Sequence, residues 1–316
     1  MQYRTLGKTG LEVSILGLGT SSLGGVFRSV EESAAIRTVR VALDAGINFL
    51  DSSPFYGLTK SETVLGKALK GVPRDRYILA TKAGRYGYEM ADFDFSAARL
   101  TASVDESLAR LGVDFVDLIQ LHDMEFGDLD QIVGEAVPAL RRVQEQGKAR
   151  FVGITALPLC ALHYVFERVE VDTIQTYCHY CLNDTALADA VPSLERARLG
   201  VISSAPLAMR LLTNVGPPEW HPAPAPVREK CAEAARFCET NGKDIARLAL
   251  QFSVGNPALH TTLVSTANPD RIASNVRHIE EPPDPELLEQ VLQILAPIHN
   301  QTWPQGRPEN NAIDTQ

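Results

Sequence analysis

Short apolar runs alternate with amphipathic segments along most of this chain of 316 residues. The runs have strand length and are rich in β-branched and aromatic side chains, which is typical of buried parallel strands. Strands are predicted at 15–19, 47–51, 77–82, 116–122, 151–154, 173–175, 201–203 and 261–265. Apolar residues recur at helical spacing in the intervening segments. Helices are predicted at 31–45, 61–69, 96–111, 135–146, 158–169, 187–199, 227–241, 245–253 and 269–276.

This succession of eight strand–helix units favours one α/β domain, a (β/α)8 TIM barrel, over an open sheet. An N-terminal β-hairpin is predicted around the turn at 7–10, and an extra C-terminal helix at 285–295. We place the barrel domain at 1–303 and expect the polar residues 304–316 to form a disordered tail. The Pro-rich segment 216–226 is predicted to be a lid, because loops that follow barrel strands carry function.

The composition narrows the class of protein. Asp and Glu number 39 against 30 Lys and Arg, and the net charge of −9 argues against nucleic acid as a partner. The chain has neither a long apolar run nor a signal-peptide pattern, so no membrane partner and a cytoplasmic location are expected. The five cysteines are expected to be free thiols, and the CxxC at 178–181 lacks a second ligand pair, so no metal is predicted.

Three of the predicted strands end on residues that can carry proton chemistry. These residues are Asp51, Lys82 and His122, and Tyr56 lies in the loop that follows Asp51. The C-terminal ends of parallel strands share one face of a barrel, so the four side chains are expected to converge as a catalytic tetrad. A tyrosine has a pKa near 10 and is a poor base at neutral pH. We expect Lys82, held charged by Asp51, to lower the pKa of Tyr56, while His122 orients the reacting oxygen.

The four residues, together with three sequence motifs, resemble the aldo-keto reductase superfamily. The motifs are GLGT at 17–20, DAGINFLDSS at 44–53 and NPDRIASN at 268–275. The resemblance extends from Tyr3 to about Asn275. It is strongest to the branch of plant-type L-galactose 1-dehydrogenases, through FDFS at 93–96, YCHY at 177–180, APLAM at 205–209 and GPPEWHPAP at 216–224. Dehydrogenases of L-fucose and other D-threo-aldoses are the next most similar group.

The resemblance implies a nicotinamide dinucleotide, NADP or NAD, bound across the barrel mouth without a Rossmann domain. It places these residues in the cofactor site: Gly19, Thr20, Gln175, Ser204, Pro206, Leu207, Ser265, Arg271 and Asn275. Arg271 matches an arginine that pairs with a 2′-phosphate, so NADP is modestly favoured. Ser265 stands where many relatives have a lysine that assists it, so NAD is expected to remain usable.

The resemblance also implies the reaction. The leading hypothesis is oxidation of L-galactose at C1 to the lactone, with hydride passing to the nicotinamide and the proton to Tyr56. Alternatives within enzymes are a dehydrogenase of L-fucose or D-arabinose and a general aldehyde reductase. Another class is a non-catalytic cofactor-binding subunit, as potassium-channel β-subunit relatives suggest. Met209, Trp220 and His221 are candidates to line a sugar site, and the oligomeric state stays open.

Overall fold

The computed structural model describes residues 1–26 and 29–312. Its strands are β1 (Tyr3–Thr5), β2 (Glu12–Ser14), β3 (Leu16–Gly19), β4 (Phe49–Asp51), β5 (Ile78–Ala83), β6 (Val116–Leu121), β7 (Ala149–Thr155), β8 (Thr173–Tyr177), β9 (Gly200–Ser204) and β10 (Thr261–Ser265). Strands β3 to β10 close into a parallel barrel in which β10 pairs with both β9 and β3. The predicted (β/α)8 barrel is therefore confirmed.

Helices surround the barrel. They are α1 (Glu32–Asp44), α2 (Lys60–Leu69), α3 (Ala97–Leu111), α4 (Leu129–Gln131), α5 (Val137–Glu145), α6 (Leu159–Phe166), α7 (Ala186–Arg196), α8 (Ala225–Thr240), α9 (Ile245–Val254), α10 (Pro269–His278) and α11 (Pro285–Leu295). The helix predicted from 135 starts earlier, because Asp128 caps α4 and a π-helical turn links α4 to α5. None of the helices in the described residues is sufficiently long and apolar to span a membrane.

The predicted hairpin pairs β1 with β2 and closes the N-terminal end of the barrel. Strand alternation sends Phe49 and Leu118 into the barrel interior, where Leu6 and Val13 of the hairpin region join their cluster. Leu50 and other strand residues of the opposite parity pack outward, against the helices. Apolar side chains therefore fill the N-terminal end of the barrel. The polar residues of the predicted site lie at the opposite end, the C-terminal mouth.

The C-terminal segment differs from the disordered tail that the composition predicted. Within the described residues it is ordered to Ala312, and Trp303 and Asn310 are buried. The Asn310 amide donates to the Glu125 and Gly127 carbonyls at 2.8 and 3.0 Å. These bonds join segments that are distant in sequence, so local polarity gave no sign of them. Residues 313–316 of the predicted tail lie outside the described residues.

Candidate active site

The structure brings Asp51, Tyr56, Lys82 and His122 together at the C-terminal mouth of the barrel. The Lys82 ammonium donates to Asp51 Oδ2, to the Ser52 carbonyl at 3.0 Å and to Tyr56 Oη at 3.3 Å. An ammonium has three N–H donors, so all of them are used. Because Tyr56 Oη accepts from Lys82, its own hydroxyl hydrogen is free to point toward a substrate.

Asp51 is fixed by groups that the sequence analysis overlooked. Gln120 Nε2 donates to Asp51 Oδ1 at 2.9 Å. Gln120 lies two residues before His122, and residues at this spacing share a strand face, so the alternation of β6 could have revealed it. The Thr20 amide and hydroxyl both donate to the Asp51 carbonyl, at 2.9 and 3.1 Å. Gln120 therefore fixes the carboxylate of Asp51, and Thr20 fixes its backbone.

The loop that carries Tyr56 is positioned by two glycines. A Cβ on Gly24 would lie 2.5 Å from the Tyr56 carbonyl oxygen, too close for any side chain. Gly57 has a φ of +63° and also packs directly on Gly24. This close approach of the two backbones fixes the position of the loop from which the Tyr56 side chain projects.

Charge at Lys82 is maintained although its side chain is only 1 % exposed. Burial by itself lowers the pKa of Lys82, but the neighbouring Asp51 carboxylate and the Tyr56 phenol raise it by more. The net pKa of Lys82 is therefore above its ordinary value. The ammonium stays charged throughout the neutral range.

The predicted lowering of the Tyr56 pKa is wrong in its net direction. Burial raises the pKa of Tyr56, Lys82 lowers it, and the Asp51 and Asp123 carboxylates raise it again, so the net change is upward. The ammonium lowers the pKa as expected, but desolvation of the phenolate and the second carboxylate, Asp123, outweigh it. Tyr56 is consequently protonated at neutral pH, which is the state of a proton donor.

His122 is neutral and oriented. Burial lowers its pKa to about 3, against the attraction of Asp123. Ser53 Oγ lies 2.9 Å from His122 Nδ1 and already accepts the Phe55 amide hydrogen at 3.1 Å. If the Ser53 hydroxyl then donates to Nδ1, the tautomer has its hydrogen on Nε2. The imidazole and the Tyr56 ring meet edge to face, with centroids 5.7 Å apart.

Asp123, directly after His122, was not among the residues selected from the sequence, which were three strand-end residues and Tyr56. It is 5 % exposed and has a φ of +50°, a strained value for a non-glycine residue. Arg85 Nη1 lies 2.6 Å from Asp123 Oδ2, and Thr155 Oγ1 accepts the Asp123 amide hydrogen at 2.9 Å. Although burial raises the pKa of Asp123, His122 and Arg85 lower it by more, so this carboxylate is charged.

A second carboxyl group beside the mouth is neutral. Burial and the nearby Asp123 charge raise the pKa of Glu125 to about 8. Its Oε1 accepts the Leu157 amide at 3.1 Å and Gln305 Nε2 at 3.0 Å. Gln305 Nε2 also contacts Tyr177 Oη, so the C-terminal segment is hydrogen-bonded to this side of the mouth.

Two of the predicted cofactor residues, Gln175 and Ser204, lie on the neighbouring strands β8 and β9. Gln175 Nε2 donates to Ser204 Oγ at 3.0 Å, while Gln175 Oε1 is buried without a partner among the described residues. A buried, unpaired amide oxygen needs a donor, and the carboxamide of a nicotinamide would supply one. These residues therefore fit the implied group.

The other end of the implied cofactor site lies where β3 and β10 pair. Gly19 is opposite Ser265, whose Oγ accepts the Ser22 amide at 2.9 Å. Arg271 and Asn275 follow in the first two turns of α10, four residues apart on one helix face. The Arg271 side chain is exposed and makes no ion pair within residues 1–26 and 29–312.

Two of the other predicted cofactor positions are buried, and one is half-buried. Thr20 is fully buried, and its amide and hydroxyl are bonded to Asp51 while Ser61 Oγ donates to its hydroxyl oxygen at 2.7 Å. This geometry supports a role in fixing Asp51 and gives no support to the predicted cofactor contact. Pro206 is buried and Leu207 half-buried in the loop after β9.

The structure gives His221 a packing role instead of the predicted sugar contact. Its Nδ1 accepts the Ala223 amide at 3.1 Å, and its Nε2 lies 3.2 Å from the Ala208 carbonyl. Its ring packs edge-on against Trp303 with centroids 5.1 Å apart, so neither ring nitrogen is left for a substrate. Met209 is half-buried and Trp220 exposed.

The segment predicted as a lid is tied to the start of α8. Arg228 Nε donates to the Ala223 carbonyl at 3.0 Å, and Arg228 Nη2 donates to the Glu219 carbonyl at 3.1 Å. His221, within the same segment, is buried beneath it. A lid role remains a prediction, because these bonds fix one end of the segment and do not test its movement.

Comparison with known proteins identifies similar sequences and a similar solved structure. Residues 15–296 match the model of the aldo/keto reductase family. The chain is 49% identical to the L-galactose dehydrogenase of Arabidopsis thaliana, over 98% of this chain and 99% of that protein. It is 28% identical to a D-threo-aldose 1-dehydrogenase from Pseudomonas sp, over 85% of this chain and 90% of that one. An aldo-keto reductase from Bacillus halodurans, solved in a holo form, superimposes with a TM-score of 0.80 at 27% identity, covering 99% and 100% of the two chains.

Proposed function

The chain belongs to the aldo/keto reductase family and is an oxidoreductase, and we propose that it oxidises L-galactose at C1 to the lactone with a nicotinamide cofactor. The observation that carries the proposal is the complete proton-transfer set, in which Lys82 bridges Asp51 and Tyr56 beside a neutral His122. The identity to the plant L-galactose dehydrogenase over nearly all of both chains supports the choice of sugar.

The residues divide the work as follows. His122 Nε2–H binds the C1 oxygen and orients it toward Tyr56. Tyr56 exchanges the hydroxyl proton, and Lys82 stabilises the phenolate that results when Tyr56 has lost its own proton. Gln175, Arg271 and Asn275 would hold the cofactor, which when bound supplies the acceptor for the electrons that leave C1. In the opposite direction the protonated Tyr56 is ready to donate.

A panel of sugars tests the proposal. We expect L-galactose to give the highest kcat/KM, measured by absorbance of the reduced nicotinamide, and L-fucose and D-arabinose to be slower substrates. A higher kcat/KM for L-fucose or D-arabinose would reassign the substrate within the same chemistry. Cofactor binding without turnover of any sugar or aldehyde would favour the non-catalytic subunit instead.

The cofactor preference depends on Arg271. We propose that NADP is preferred modestly over NAD, because the exposed Arg271 guanidinium can form a bidentate, charge-assisted pair with a 2′-phosphate. Arg271→Ala should weaken NADP about ten- to a hundredfold and leave NAD within about twofold, since one such contact contributes about 1.5–3 kcal/mol. Titration by fluorescence quenching measures both affinities.

Arg277→Ala is the matched control, because Arg277 is an exposed arginine in the last turn of the same helix. It should change neither affinity. Equal losses for NADP and NAD in Arg271→Ala would mean that Arg271 does not meet the phosphate.

A further inference from the structure

Asp123 carries one carboxylate oxygen that accepts no hydrogen bond from residues 1–26 and 29–312. Arg85 takes Oδ2 at 2.6 Å, whereas Oδ1 has no hydrogen-bond partner among the described residues and is not sealed from solvent. The Arg85 guanidinium is itself fixed, because it stacks over the Phe55 ring at 3.6 Å from the centroid. Asp123 therefore presents a rigid, charged acceptor at the mouth.

The Asp123 carboxylate lies beside the ring nitrogen of His122 that would bind the reacting oxygen. Asp123 Oδ2 is 3.7 Å from His122 Nε2, and Arg85 also stacks on Phe93, with 5.2 Å between its guanidinium and the ring centroid. An oxygen bound by His122 Nε2 is consequently next to the Asp123 carboxylate. The strained backbone at Asp123 and its bond to Thr155 maintain this placement.

The chemistry of a sugar ring then selects which atom faces Asp123. C1 of a pyranose has two neighbours in the ring, C2 with its hydroxyl and the ring oxygen. A carboxylate only accepts hydrogen bonds, and the ring oxygen has no hydrogen to donate. The C2 hydroxyl can donate, so the ring oxygen must lie on the other side.

We infer that Asp123 Oδ1 binds the hydroxyl on the carbon next to the reacting carbon, and that this contact makes the enzyme selective for 2-hydroxy aldoses. The inference rests on the proposed aldose dehydrogenase function. It also restricts how the ring docks, since the C1 oxygen and the C2 hydroxyl are then both held at the mouth.

Three pentoses that differ only at C2 provide the test. D-Arabinose has the same configuration as L-galactose at C2, C3 and C4, D-ribose is its C2 epimer, and 2-deoxy-D-ribose lacks the C2 hydroxyl. The wild-type enzyme should prefer D-arabinose to 2-deoxy-D-ribose about ten- to a hundredfold in kcat/KM, because the hydrogen bond is charge-assisted. D-Ribose should also be poor, since its hydroxyl points away. A wild-type ratio of D-arabinose to 2-deoxy-D-ribose near one would overturn the inference without any variant.

The variant Asp123→Asn keeps the shape of the side chain and removes its charge. The Asp123 charge also acts on Tyr56, so its loss changes both rates by a common factor. D-Arabinose should lose about ten- to a hundredfold more than 2-deoxy-D-ribose, so the ratio of the two rates collapses. Asp172→Asn is the matched control, because Asp172 is a buried, arginine-paired aspartate at the opposite end of the barrel, with Arg141 Nη1 at 2.7 Å. It should leave the ratio unchanged.

The outcomes separate this inference from the proposed function. If Asp123→Asn changes the rates of both pentoses by the same factor, Asp123 acts only on Arg85 and on the charge state of Tyr56, and the inferred contact is wrong, while L-galactose turnover by the wild-type enzyme still supports the function. If no sugar, L-galactose included, is turned over by the wild-type enzyme, the proposed function fails and the contact fails with it.

Discussion

Replacing Tyr56 by phenylalanine should reduce kcat for L-galactose by about 10²- to 10⁴-fold, because the change removes the group that exchanges the proton and nothing else. The ring remains packed edge to face on His122, and Lys82 loses one of its three acceptors. Cofactor affinity should stay within about fivefold, since loss of one neutral acceptor changes binding energies by about 1 kcal/mol or less. Steady-state rates and fluorescence titration of the cofactor measure the two effects separately.

A phenol far from the mouth provides the control for this change. Tyr164 lies in α6, and its hydroxyl donates to Asp130 Oδ1 at 2.6 Å near the surface. Tyr164→Phe should retain the wild-type rate. Activity of Tyr56→Phe within a few-fold of the wild type would exclude Tyr56 as the proton carrier.

The meeting place of Asp51, Tyr56, Lys82 and His122 could be predicted from the sequence, because the C-terminal ends of all the strands of a parallel barrel lie on one face. Asp51, Lys82 and His122 lie at or next to strand ends, and their common face follows from topology alone. Asp123 could not be found in this way, because it is the second residue after β6 and becomes part of the mouth only through its partner Arg85. That pairing joins two loops and has no local pattern.

The electrostatic state of the site was predicted less well than its position. The direction of the Tyr56 pKa depends on a balance between burial, one ammonium and two carboxylates, and the sequence shows neither the burial nor the second carboxylate. The position of His221 could not be predicted for a related reason, since its packing against Trp303 joins the loop after β9 to the C-terminal segment. Contacts of this kind depend on the closed barrel, and no short stretch of sequence specifies them.

A consequence of the raised Tyr56 pKa is that oxidation and reduction should respond differently to pH. Oxidation requires Tyr56 to accept a proton, so its rate should rise with pH through the alkaline range, where the phenolate fraction grows. Reduction requires the protonated phenol, which is already present at neutral pH. Burial raises the pKa of Tyr56 and the Lys82 charge lowers it. Lys82 therefore helps to set the pH at which the phenolate forms.

Removing that charge gives the last prediction. Lys82→Met should slow oxidation by about 10²- to 10⁴-fold near neutral pH and move the alkaline rise to higher pH, because only burial and the Asp51 and Asp123 carboxylates then act on Tyr56. The variant also leaves the buried Asp51 carboxylate unpaired, which costs about 3–5 kcal/mol of stability and could slow the enzyme by itself. The double variant Asp51→Asn/Lys82→Met removes both charges and separates the two causes. If Lys82 acts on Tyr56, the double variant regains stability in a thermal melt and stays slow, with the alkaline rise still displaced. Recovery of the wild-type rate and pH profile in the double variant would show instead that Lys82 serves only to neutralise Asp51.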